Sequence, residues 1–141
     1  MNLTSFTDYS LRIMIMLGSN PDKKFKTNEL TEYLGIKLNH ATKIIHKLAS
    51  LNYIHSFKGR NGGISINKNS YRLNLSDIVL ELEPMNIVEC FAAGNIDCSL
   101  LPSCKLKSIL NMAKNDFINK LAEHTLLDIC NISEENLDNL F

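Results

Sequence analysis

Apolar residues change their spacing several times along this chain, and each change marks an element. Between residues 5 and 17 come Phe6, Tyr9, Leu11, Ile13, Met14, Ile15, Met16 and Leu17, apolar on more than one face and uninterrupted by Gly or Pro. This predicts a buried helix capped near Thr4 or Thr7. Turn chemistry over residues 18–24, centred on Asn20-Pro21-Asp22, ends it. Thr27 then stands as a cap for a short helix with Leu30, Tyr33 and Leu34 on its apolar face, stopped by Gly35. A second short helix, from about Asn39 to Leu51, places Ile44, Ile45, Leu48 and Leu51 at helical spacing. Two short helices around a glycine-containing turn are the pattern of a helix-turn-helix.

The period then switches to two. Residues 53–57 and 64–66 alternate as strands, and the basic, glycine-rich run Lys58-Gly59-Arg60-Asn61-Gly62-Gly63 joins them. A basic-tipped hairpin directly after a helix-turn-helix reads as a wing. Residues 75–82 form another short helix, with Ser76 near its start and Pro84 beyond its end. No period is sustained over residues 84–103. From Cys104 to about Cys130 the spacing is helical again, with Leu106, Leu110, Ala113, Phe117 and Leu121 in a stripe and Ile109, Ile118, Leu126 and Ile129 beside it. A helix of about 25 residues would extend roughly 37 Å, too long for a small domain to cover alone. Its simplest partner is its symmetry mate in a twofold homodimer. Residues 133–141 are a short acidic helix or a frayed tail. The expected fold is therefore mainly α with a small β wing. A winged helix-turn-helix head covers residues 1–83, a loop residues 84–104, and a long C-terminal dimerisation helix with an acidic tail residues 105–141.

At 141 residues, the chain suffices for one core with an appendage. Its formal net charge of zero would argue against nucleic acid. The average conceals a division: residues 1–72 hold 11 Lys and Arg against 4 Asp and Glu, and residues 73–141 hold the other 4 against 11, so +7 faces −7. A basic half points to double-stranded DNA as partner. The outer face of the second helix would present Asn39, His40, Lys43 and Lys47 to a groove. Lys58, Arg60, Asn61 and Gly62 would serve at the wing, the glycine letting backbone come close to DNA. No apolar run reaches the roughly 20 residues that cross a bilayer, so no membrane partner and a cytoplasmic location are expected. The histidines His40, His46 and His55 fall in the head, and no His, Ser and acid set has nucleophile spacing, so the chain does not read as an enzyme.

Cys90, Cys98 and Cys104 fall in one loop, separated by seven and then five residues. In a reducing compartment, metal or redox chemistry is the commoner use of such thiols. Thiolates are soft ligands for iron-sulfur clusters, zinc or copper(I), and the paired C-x-x-C knuckles of a zinc ribbon are absent. A fourth ligand is left open between Cys130, a histidine, a carboxylate and an exogenous group. Cys130, at the far end of the expected long helix, reads by default as a small buried apolar residue. Two further readings stay in view: a cluster-free regulator using zinc or a thiol switch, and an iron-sulfur carrier or electron-transfer protein. The second leaves the wing and the basic half without a use.

The opening Leu3-Thr4-Ser5-Phe6-Thr7-Asp8-Tyr9-Ser10-Leu11-Arg12, residues 39–48, the wing Lys58-Gly59-Arg60-Asn61-Gly62-Gly63-Ile64, Leu82-Glu83-Pro84 and the loop ending Pro102-Ser103-Cys104-Lys105-Leu106 together resemble the NsrR group of nitric-oxide-sensitive repressors. That group sits in a winged-helix family that includes the iron-sulfur regulator IscR and the cysteine-metabolism regulator CymR. The resemblance implies a homodimer that represses nitric-oxide detoxification genes. It also implies an iron-sulfur cluster, 4Fe-4S ahead of 2Fe-2S, and release of the operator when nitric oxide attacks it. Its ligand set carries over to Cys90, Cys98 and Cys104, with Asp8 donated by the other subunit as the fourth. The chain departs from IscR-like relatives in holding Lys107 where they place a histidine three residues after the last cysteine. It also spaces its first two cysteines slightly wider than some relatives.

Overall fold

Thr4 begins the first helix because its hydroxyl accepts the Thr7 amide at 3.3 Å, satisfying a donor that the first turn leaves without a helical partner. The computed structural model that shows this describes residues 2–92, 98–100, 103–133 and 140. Helix α1 (Ser5–Gly18) sends Ile13, Met14 and Leu17 fully into the core. Helix α2 (Thr27–Leu34) starts with Lys26, rather than Thr27, in the capping position, because the Glu29 carboxylate takes the Lys26 amide at 2.6 Å. Gly35 closes α2 in the left-handed region at φ 66°, which a side chain would strain. Helix α3 (Leu38–Ser50) turns Ala41, Ile44, Ile45 and Leu48 inward, and α1 packs on both α2 and α3.

Strands β1 (Ile54–Phe57) and β2 (Gly63–Ile66) pair antiparallel with Ile54 opposite Ile66 and Phe57 opposite Gly63. Phe25 adds a rung to the outer side of β2, exchanging two 2.8 Å backbone hydrogen bonds with Ile64. The short sheet is thereby stitched to the chain entering α2. Within a 3-10 turn over Lys68–Arg72, the buried Tyr71 hydroxyl donates to the Gly18 carbonyl at 2.6 Å. Helix α4 (Leu75–Leu82) buries Ile78, Val79 and Leu82. The expected fold class, mainly helical with a two-stranded wing, is the one observed.

The C-terminal part differs from the expectation. Helix α5 (Lys105–Ala122) has 18 residues, about 27 Å at about 1.5 Å per residue, and stops well before Cys130. Competing hydrogen bonds end it: the amides of Leu75 and Leu126 donate to the carbonyls of His124 and Leu73, each at 2.9 Å, and Asp128 accepts the Thr125 amide at 2.7 Å. Leu126, read from periodicity as part of the long helix, is instead fully buried in the head. The chain after α5 folds back as a clasp, which no Gly or Pro announces. Most of the expected acidic tail lies outside the described residues, though Leu140 reaches the core. No helix among the described residues is long and apolar enough to cross a membrane.

Candidate functional site

The basic face is built by α3 and the wing tip. Asn39 and Lys43 are exposed on α3, and Lys47 is half-buried in its last turn. His40 differs from the expected outward placement. It is half-buried, with its ring edge-on to Tyr9 at 5.4 Å and 6.1 Å from Phe6, both on α1. Lys58, Arg60 and Asn61 are exposed at the wing tip. Gly62 is buried: a Cβ there would collide with the Phe57 carbonyl oxygen and the Lys58 carbonyl, so the closed turn itself requires glycine. Outside the tip, His55 stacks with the exposed Phe57, and the Lys24 ammonium stands 5.2 Å from the Phe57 ring.

The cysteines fall into two kinds. Cys90, in a 3-10 turn over Glu89–Phe91, and Cys104, at the cap of α5, line the same open cavity of about 590 Å³. The Cys104 sulfur accepts the Lys107 amide at 3.4 Å, so the first turn of α5 fixes it. The Lys114 ammonium, 4.9 Å from the Phe91 ring, fastens the turn carrying Cys90 to α5. Cys98 is half-buried, is not on that wall, and follows residues 93–97, which lie outside the described residues. All three thiols are free. Among the described residues of one chain, no three His, Cys, Asp or Glu side chains converge on a metal position. Cys130 is of the other kind. It packs against Gly18 and Tyr71 in the head, and burial pushes its thiol up to about 11, so it stays protonated and inert near neutrality.

Asp8 lies in the first turn of α1 and is not on the wall of that cavity. Arg12, one helical turn on, grips both its oxygens, with Nε 3.1 Å from Oδ1 and Nη2 2.9 Å from Oδ2. An exposed pair at this spacing contributes only about 0.3–0.5 kcal/mol, so a competing ligand can draw Asp8 away at little cost. The Arg12 guanidinium also stands 5.7 Å from the Tyr9 ring, which packs against His40 on α3. The acid-base pair at i and i+4 was visible in the sequence, but Arg12 gained a role only from this geometry. Glu83, met in the sequence only as part of Leu82-Glu83-Pro84, gains a role in the same way. At the end of α4 it accepts both the amide and the hydroxyl of Thr4 at 2.9 Å. Burial alone would raise its carboxyl, but hydrogen bonds from Thr7 and Thr4 hold it below the usual range.

A helix-turn-helix with a basic wing, carrying a cysteine segment and a mostly exposed helix behind it, defines a winged-helix transcriptional regulator. The same architecture occurs in IscR of T. potens, with a TM-score of 0.69 at 18% identity over 92% of this chain and 85% of that one. CymR of Staphylococcus aureus matches with a TM-score of 0.68 at 18% identity over 88% and 93%. CymR of B. subtilis, described as its global cysteine regulator, matches with 0.66 at 19% identity over 92% and 95%. At these identities the likeness establishes the fold. The family model for Rrf2, described as iron-dependent transcriptional regulator, matches residues 3–132, and the chain belongs to the Rrf2 family. Regulators of this family bind DNA, are typically dimeric and are not enzymes.

Proposed function

We propose that this regulator is a homodimeric, cytoplasmic repressor that holds operator DNA with α3 and its wing. It releases the operator when nitric oxide damages an iron-sulfur cluster on Cys90, Cys98 and Cys104, with Asp8 of the partner subunit as the fourth ligand. The observation that carries the reading is the convergence of Cys90 and Cys104 on one open cavity at the base of α5. Free, half-buried thiols facing a cavity of that size suit a soft-metal centre, whereas Cys130, packed on the head's core and held protonated, does not. When bound, the cluster would supply iron open to attack by a diatomic radical.

This chain's own residues supply the link to DNA. Glu83 ties the start of the cysteine segment to Thr4, at the head of the helix that carries Asp8. Arg12 either retains Asp8 or shares it with a neighbouring ligand set, and its contact with Tyr9 leads to His40 on α3. Exposed Leu106, Ile109 and Met112 give α5 the apolar stripe a twofold partner would cover. Two heads fixed on one face of DNA read half-sites about 34–36 Å apart or a multiple of it. A coupling of about 1–3 kcal/mol between the cysteine segment and that spacing changes affinity about 5- to 150-fold. Cys98→Ala tests the reading: it should abolish visible iron-sulfur absorbance and weaken sequence-specific binding. Full affinity without a cluster would rule the mechanism out.

A second reading is favoured by the lack of a third donor beside Cys90 and Cys104 among the described residues. There the same thiols act without a cluster, as a thiol switch; a zinc site would need the same further donors that a cluster does. A colourless, iron-free anaerobic preparation that still binds DNA with thiol-dependent affinity would select it.

A further inference from the structure

Lys26 belongs to the basic half of the chain, yet its charge is engaged within the protein. Its side-chain ammonium donates to the Gly62 carbonyl at 2.7 Å and lies 3.5 Å from the Arg60 carbonyl, spanning from the start of α2 to the wing tip. Its own amide is held by Glu29, whose carboxyl that hydrogen bond, chiefly, keeps below the usual range. The next residue back, Phe25, is bonded to Ile64 on β2. The tip is a closed turn in which the Gly62 amide donates to the Gly59 carbonyl at 3.1 Å and no Cβ fits at Gly62. Two carbonyls of that turn face Lys26, while the Arg60 and Asn61 side chains stay exposed.

From this geometry we infer that Lys26 is a positioning residue for the wing. It braces the tip against the first turn of α2, so that Arg60 and Asn61 are presented at a fixed offset from Lys43 on α3. Lys26 is not itself a phosphate contact. A hairpin tip carries few apolar contacts and opens readily, and a flexible Arg60 would lose more conformational freedom on each phosphate it meets. A brace from α2 removes part of that loss before DNA arrives. The inference rests on the reading that the wing touches DNA, and the test separates the two.

Binding of the full-length protein to a labelled random-sequence duplex is measured against salt for wild type, Lys26→Met, Lys26→Arg, Arg60→Ala and the double variant Lys26→Met/Arg60→Ala. Hydrogen exchange of the Gly59–Gly63 amides is followed in the free proteins. Lys26→Met should weaken binding about 3- to 10-fold and flatten the log-log salt slope by about one unit, as Arg60→Ala does. The double variant should lose no second unit, because both changes remove the same phosphate contact. Wing amides should exchange faster in Lys26→Met, and Lys26→Arg, which keeps charge and donors, should restore both readouts. Additive slope losses of about two units would make Lys26 a direct phosphate contact and overturn the inference. So would unchanged wing exchange in Lys26→Met. Faster exchange in Lys26→Met with an unchanged slope in every variant would leave the brace standing and remove the wing from the DNA interface.

Discussion

The head and the region behind it are held in opposite ways. Helix α3, with 13 residues, buries four side chains, whereas α5, with 18, buries none. In α5, Leu110, Phe117, Ile118 and Leu121 are half-buried, and the helix packs on α4. Leu106, Ile109 and Met112 are left more than half exposed. The head's shape is specified by its own residues. In the proposed function the shape behind it is completed from outside, by a second subunit and by the group that Cys90 and Cys104 would hold. A regulator gains from this division, because a signal can act on the underdetermined part without unfolding the reading head.

The contrast predicts which substitutions unfold the chain and which only separate subunits. Ile109→Asp should produce the largest change, converting a dimer to a monomer in sedimentation velocity, because an unpaired carboxylate in an apolar interface is strongly unfavourable. The thermal transition of the head should persist; a dimer that survives would remove α5 from the interface. Leu126→Ala acts on the other side of the contrast. It empties a fully buried site where the clasp enters the head, and should cost about 2–5 kcal/mol in denaturant unfolding. A loss near zero would mean that the clasp is an appendage after all.

Smaller effects sharpen the boundary between the two kinds of cysteine. A Cβ on Gly18 would sit 2.5 Å from the Cys130 sulfur, so Gly18→Ala should destabilise by about 1–3 kcal/mol despite alanine's better helix propensity. Adding Cys130→Ala should recover much of that loss, as expected for neighbours in contact; additivity would place the sulfur elsewhere. Smallest is Glu83→Gln, judged by pH. The folded Glu83 carboxyl lies below its ordinary value of 4.5, so its contribution is present above that pH and is lost as the pH falls through the folded value. The wild-type advantage over Glu83→Gln in urea should therefore shrink below about pH 4.5 and vanish at strongly acid pH. An advantage constant from pH 7 to pH 2 would mean that the charge on Glu83 contributes nothing.

Much of the head was legible because its elements are short and each is bounded by local chemistry: Thr4, Gly35, the glycine-rich wing tip and Pro84. The end of α5 was not. Residues 104–130 keep helical spacing without Gly or Pro, and the helix is broken by pairing with the chain around Asn74, 51 residues before Thr125, supported locally by the Asp128 bonds to Thr125. Periodicity reports local preference and is blind to such long-range hydrogen bonds. For the same reason Cys130, read as a buried residue at the far end of a long helix, is instead half-buried against the head. At the site, residue type and spacing singled out the three cysteines, while Asp8 entered through family resemblance. The parts played by Arg12, Lys26 and Glu83 needed geometry, since each acts on a neighbour: a carboxylate, a carbonyl or a helix cap.

The central claim is that a soft-metal centre on the cysteine segment controls the grip of the head on DNA. Protein purified without oxygen, quantified for iron and sulfide, should be brown, hold acid-labile sulfide, and shift a duplex selected from a random pool. Stepwise nitric oxide should then bleach the cluster absorbance and release the duplex over the same range of additions. A preparation without iron that binds the duplex as tightly, and is indifferent to nitric oxide, would contradict the account.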